Sequence, residues 1–77
     1  MSSDDFKDGQ LRFALDEGLF IFGDSQLTPP VQQKMLPDSP IILLKFVPFY
    51  YVWKVLTTHG VGYVSVTELR GHSSIQW

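Results

Sequence analysis

Apolar and polar side chains take turns over residues 10–15, where Leu11, Phe13 and Leu15 are interleaved with Gln10, Arg12 and Ala14. A period of two predicts a half-buried strand there. Asp16-Glu17-Gly18 interrupts it, and Leu19-Phe20-Ile21-Phe22 resumes an apolar run, so a second strand is expected over 19–23. A three-residue link ending in glycine suits a hairpin with a type I turn and a left-handed glycine. Residues 1–9 show no apolar periodicity and read as a solvated acidic tail.

The segment from Leu27 to Pro37 reads as a short helix. Thr28 can cap it, and Pro29 sits at the first helical position, where its missing N–H costs nothing. Val31 and Met35, four apart, would face the core together. Leu36 precedes Pro37 and must leave the helical region, and Pro37-Asp38-Ser39-Pro40 makes a loop.

The remainder predicts a three-stranded meander over Ile41–Val47, Tyr50–Thr58 and Val61–Leu69, with Pro48 ending or bulging the first strand. A two-residue turn at His59-Gly60 sets Val55 against Val64 and Trp53 against Val66 on one face. Lys54 against Ser65 and Leu56 against Tyr63 then share the other. The first face is wholly apolar and the second mixed, as a sheet with one buried side requires. A rival reading makes 49–58 a helix and Ser65–Leu69 part of a winged-helix regulator. It surrounds Lys54 with apolar neighbours and leaves too little chain for a recognition helix and wing. The expected fold is therefore α+β in the order ββαβββ: one domain over 10–70 that can close into a small, partly open barrel, with a tail at 71–77.

Seventy-seven residues bound the chain to one small domain. There is no cysteine, which removes disulfides, thiolate zinc sites and cysteine nucleophiles. Charge is uneven. Residues 1–27 carry Lys7 and Arg12 against Asp4, Asp5, Asp8, Asp16, Glu17 and Asp24, whereas residues 28–77 carry Lys34, Lys45, Lys54 and Arg70 against Asp38 and Glu68. Neither half has the dense basic footprint of a duplex nucleic-acid binder. Ile41–Leu56 is the most apolar run, but it holds Lys45, Lys54 and Pro48 and falls short of the roughly 20 residues of a spanning helix. The polar, acidic N-terminus is unlike a signal peptide, so a cytoplasmic location is expected.

Gly23-Asp24-Ser25, at the end of an apolar run, resembles the first block of the Gly-Asp-Ser esterases and lipases, which implies a nucleophilic Ser25. The family's Asp-x-x-His block is missing, because Leu56 and Leu69 stand three residues before His59 and His72. The chain also has no asparagine for the family's oxyanion hole. A serine without a base in reach is a weak nucleophile, so Gly23-Asp24-Ser25 reads as a strand exit. Metal ligands beyond His59, His72 and Glu68 are lacking, and Gly60 and Gly62 lie in a hairpin rather than before a helix. No catalytic, metal or cofactor residue is expected.

Aromatics are the remaining lead, with Phe46, Phe49, Tyr50, Tyr51 and Trp53 inside eight positions. Neighbours on a strand point to opposite faces, so they cannot all enter one core. Phe49, Tyr50, Lys54, Leu56 and Tyr63 are the expected partner-binding residues of a non-enzymatic protein-binding module: an adaptor, regulator or inhibitor, homodimeric through its aromatic-rich sheet. A viral or phage-type inhibitor would suit a small acidic chain. The alternative is single-stranded nucleic-acid binding on the Tyr/Trp strand, with lysines on the phosphates.

Overall fold

The structure, a computed structural model, describes residues 6–75. In chain order it contains β1 (Leu11–Ala14), β2 (Phe20–Ile21), β3 (Gln33–Lys34), β4 (Pro40–Val47), β5 (Val52–Thr57), β6 (Gly60–Ser65), α1 (Val66–His72) and β7 (Ser73–Ser74). Five strands form an antiparallel sheet in the order β6-β5-β4-β1-β7, and β2 and β3 form a two-stranded ribbon. The result is β-rich with one short helix, a sheet curled into a half-barrel around its core.

The meander stands as expected over β4, β5 and β6, because each strand is rich in β-branched residues and buries alternate positions. Its register is two residues away from the expected one. Trp53 faces Val64, Lys54 faces Tyr63 and Thr57 faces Gly60, which closes the turn at Thr58-His59. A turn centred on His59-Gly60 needs positive φ at both residues. Only Gly60 has it, at φ 120°, and His59 does not. A shift of two leaves every side chain on its expected face. Trp53, Val55 and Val64 are buried, while Lys54, Leu56 and Tyr63 share the opposite side. The third strand ends at Ser65 rather than Leu69, because Val66 starts α1. The Ser65 hydroxyl accepts the Glu68 N–H at 3.0 Å, an N-cap that turns the chain out of the sheet.

The N-terminal hairpin does not form. β1 pairs with β4 and with β7, not with β2. Gly18 is not in the left-handed region that such a hairpin would use. Its N–H instead donates to Asp16 Oδ1 at 2.8 Å, a side-chain turn that carries the chain away from β1. The ribbon then meets the outer edge of β6: Phe22 and Tyr63 exchange N–H···O bonds of 2.8 Å, and Gly62 leaves room for Ile21. Within β1 the faces are inverted relative to the alternation, with Arg12 and Ala14 buried and Leu11 exposed. The Arg12 guanidinium is held inside by Ser73 Oγ at 2.7 Å, Ser73 O at 3.2 Å and Gln10 Oε1 at 2.9 Å.

Residues 28–36 form no helix. The stretch is irregular, with a cis Pro29-Pro30 bond, until Gln33 and Lys34 pair with Ile21 and Phe20. A proline followed by another proline is pushed out of the helical region, so the first turn cannot start. Met35 is buried as expected, but Val31 is exposed. The element order is thus not ββαβββ; the helix comes after the meander and delivers β7 to β1. Phe6, within the expected tail, is half-buried and packs against the core. Leu19, Ile21, Met35, Ile41, Leu43, Trp53, Val55, Val64 and Leu69 are among the buried residues of that core. Among the described residues no helix is long and apolar enough to cross a membrane.

Candidate interaction surface

Strand registry puts four apolar residues in one row on the outer face of the sheet. Leu11 is opposite Ile42, Ile42 opposite Leu56, and Leu56 opposite Val61. Their relative exposures are 46%, 36%, 40% and 45%, so water reaches all four. A single exposed leucine is ordinary, but a contiguous apolar stripe across four strands is not. Leu44, the extra residue where the β4–β5 register shifts, is also exposed beside it.

Next to the row, Lys45 on β4 stands directly opposite Lys54 on β5, and Lys54 directly opposite Tyr63 on β6. Like charges at directly opposed positions repel. Neither ammonium has an ion-pair partner among the described residues. Among the described residues, the outer face therefore combines an exposed apolar stripe with two lysines that have no ion-pair partner.

Of the five expected binding residues, Lys54, Leu56 and Tyr63 share this face. Phe49 and Tyr50 lie elsewhere, in the turn between β4 and β5. There their rings meet edge to face with centroids 4.7 Å apart, and Tyr50 Oη accepts a hydrogen bond from Gln26 Nε2 at 2.8 Å. Leu11, Ile42, Val61 and Lys45 were missed. Four consecutive apolar residues, Ile41 to Leu44, were the available signal, since a strand must turn two of them outward. Leu11 could not be found that way, because Arg12 takes the inner position beside it.

Among the described residues, the groups capable of chemistry do not converge. Ser25 lies in a turn, and no hydrogen bond joins it to either histidine among the described residues. Its neighbour Asp24 is the engaged residue: Oδ1 accepts the Thr28 N–H at 2.9 Å, which holds the carboxyl below its ordinary range. His59 sits at the β5–β6 turn, where its N–H donates to Thr57 Oγ1 at 3.0 Å. The His72 ring lies over Gly18, with Nδ1 2.9 Å from Asp16 Oδ1. The Asp16 carboxyl is lowered chiefly by the Gly18 N–H, an effect opposed in part by burial, and is lowered further by its contact with His72. Among the described residues no three His, Asp or Glu side chains are grouped to hold a metal ion.

In comparisons with protein-family models, curated proteins and solved structures, nothing matches this chain.

Proposed function

We propose that the chain is a non-enzymatic protein-binding module that associates with a second copy of itself through the outer face of its five-stranded sheet. The exposed row Leu11–Ile42–Leu56–Val61 is the observation that carries this reading. Three strand spacings of about 4.8 Å make the stripe about 14 Å wide, broad enough to seat another sheet. A small domain with a modest core gains from such a subunit contact. A two-fold axis lying along the stripe sets row on row and runs β4 antiparallel to its counterpart. Lys45 and Lys54, on one side of the row, then approach the opposite side of the second copy, where Asp38 precedes the start of β4. The lysines of the two copies are thereby kept apart. A dimer of this kind would serve as an adaptor, regulator or inhibitor. Stacking of single-stranded nucleic acid on the Tyr/Trp strand has less support, because Trp53 is only 4% exposed and belongs to the core.

Light scattering at tens of micromolar tests the proposal. The expected mass is twice the 8.8 kDa of the chain, falling to one chain mass in Leu56→Glu with the melting transition retained. A monomeric native chain overturns the proposal, and so does a dimer indifferent to Leu56→Glu. Salt-sensitive oligonucleotide binding weakened by both Lys54→Ala and Tyr63→Ala would favour the nucleic-acid reading instead.

A further inference from the structure

The chain leaves β4 and enters β5 through a turn, residues 48–51, in which every residue is exposed. Phe49 is 85% exposed, more than any other large apolar side chain among the described residues. Tyr50 and Tyr51 beside it are 39% and 53% exposed. The turn is braced all the same. The Phe49 and Tyr50 rings meet edge to face at 4.7 Å, and Gln26 Nε2 donates to Tyr50 Oη at 2.8 Å. Tyr51 has a φ of 56°, in the left-handed region that a bulky L-residue rarely adopts. It is fixed there by its own N–H on Pro48 O at 3.2 Å and by the Val66 N–H on its O at 3.3 Å. A tip ordered in advance loses little conformational entropy when it binds.

Two lysines stand behind this tip. Lys45 and Lys54 are directly opposed, each two residues up its strand from the Val47–Val52 pair that flanks the turn. That is a rise of about 7 Å. Like charges so placed repel, and neither ammonium has an ion-pair partner among the described residues. Between Asp38 and Glu68 the sequence contains no carboxylate. Adjoining segments bring two, each tied to a backbone N–H. Glu68 Oε1 accepts from Phe20 at 3.2 Å, and Asp24 Oδ1 accepts from Thr28 at 2.9 Å. Although the chain has a net charge of −2, this end of the meander is therefore cationic behind an aromatic tip.

We infer that the 48–51 turn docks the protein on an anionic bilayer. Phe49 enters the acyl boundary, Tyr50 and Tyr51 lie at headgroup depth, and Lys45 and Lys54 reach the phosphates. Tyrosine rings favour that depth, and long lysine stems extend to it from behind. A protein partner suits the turn less well. Each side of a standard interface buries about 800 Å², more than four residues of a convex turn present, whereas a bilayer closes around a small tip. The inference does not rest on the dimer, because the turn and the row Leu11–Ile42–Leu56–Val61 have no residue in common.

Sedimentation with vesicles tests it, using phosphatidylcholine alone and an equal mixture of phosphatidylcholine and phosphatidylserine. The chain should bind the mixed vesicles about tenfold more tightly or better, since each lysine near an anionic surface strengthens binding about fivefold. Added salt should remove that margin, and so should Lys45→Gln with Lys54→Gln. Phe49→Ala should weaken binding about tenfold or more, while keeping the melting transition and light-scattering mass of the native chain. In Phe49→Trp the added indole emission should shift to the blue on the mixed vesicles. Absence of binding to the mixed vesicles overturns the inference, as does equal binding by Phe49→Ala or equal binding to phosphatidylcholine alone. A monomeric native chain that still sediments with the mixed vesicles supports the docking and overturns only the dimer.

Discussion

At Gly62 the ribbon packs closely against the main sheet. A Cβ at this position would stand 2.2 Å from Ile21 Cγ2, a separation that cannot be kept, and a tight 3.1 Å from Phe22 O. Gly62→Ala is therefore expected to destabilise the protein by about 1 to 3 kcal/mol, the usual cost of overpacking a core. Trp53, on the adjoining strand, is the complementary case, because removing its ring leaves a void. Trp53→Ala should cost about 3 to 5 kcal/mol. Tyr63→Ala, on the outer face, should leave the fold intact. Urea unfolding of the three variants checks the set, and a Gly62→Ala protein as stable as the parent would mean that Ile21 does not rest on β6. Arg12 makes a related point about position. Alternation assigns it to solvent, yet it is 7% exposed because Ser73 and Gln10 accept its hydrogen bonds and Phe6 covers it. A charged group can occupy an inner position when its donors are matched.

Among the elements, α1 depends most on one residue. Seven residues are too few for a helix to stand by itself, so its cap and its buried Val66 and Leu69 decide whether it forms. Ser65→Ala removes the hydroxyl that accepts the Glu68 N–H and should cost about 1 kcal/mol. Loss of native-state amide protection in residues 66–72 before the rest of the sheet would confirm that the cap acts locally. Global exchange without that order would show α1 to be inseparable from the core. Ser-x-x-Glu, written as Ser65-Val66-Thr67-Glu68, is a legible start signal that the apolar alternation of β6 overran. Glu68 does not close the box on Ser65. Its Oε1 accepts the Phe20 N–H at 3.2 Å instead and ties the helix to β2. That second partner lies 48 residues away, beyond the reach of any local pattern.

For the molecule as a whole, Asp16 and His72 join the exit of β1 to the end of α1. The Asp16 carboxyl lies below its ordinary value of 3.8, chiefly through the Gly18 N–H and then through His72. The unfolded chain therefore takes up this proton more readily than the folded one. By linkage the stabilisation is present in full above the ordinary value and is lost as pH falls through the lower folded one. Asp24, lowered chiefly by the Thr28 N–H, acts in the same direction. Thermal melts from neutral pH down to about pH 2, a window set by ordinary carboxyl values, should show stability falling on the acid side. Asp16→Asn should flatten that fall and leave some of it to Asp24. An unchanged acid limb in Asp16→Asn would mean that the contact with Gly18 and His72 does not form in solution.

Sequence alone determined the three long strands and the facing of Trp53, Lys54, Val55, Leu56 and Tyr63. Side-chain facing follows from a period of two, which a two-residue slip in register preserves. The same locality shows where it stops. Which strand β1 joins, which face of β1 is inside and where β7 lands depend on residues up to 61 positions apart, as Arg12 and Ser73 are. The candidate surface divides along the same line: Lys54, Leu56 and Tyr63 come from one hairpin and were legible, whereas Leu11 joins the row only through its pairing with Ile42. Periodicity specifies the direction of a side chain from its own backbone. The choice of neighbour belongs to burial and hydrogen bonding between distant segments, and only the folded chain brings those together.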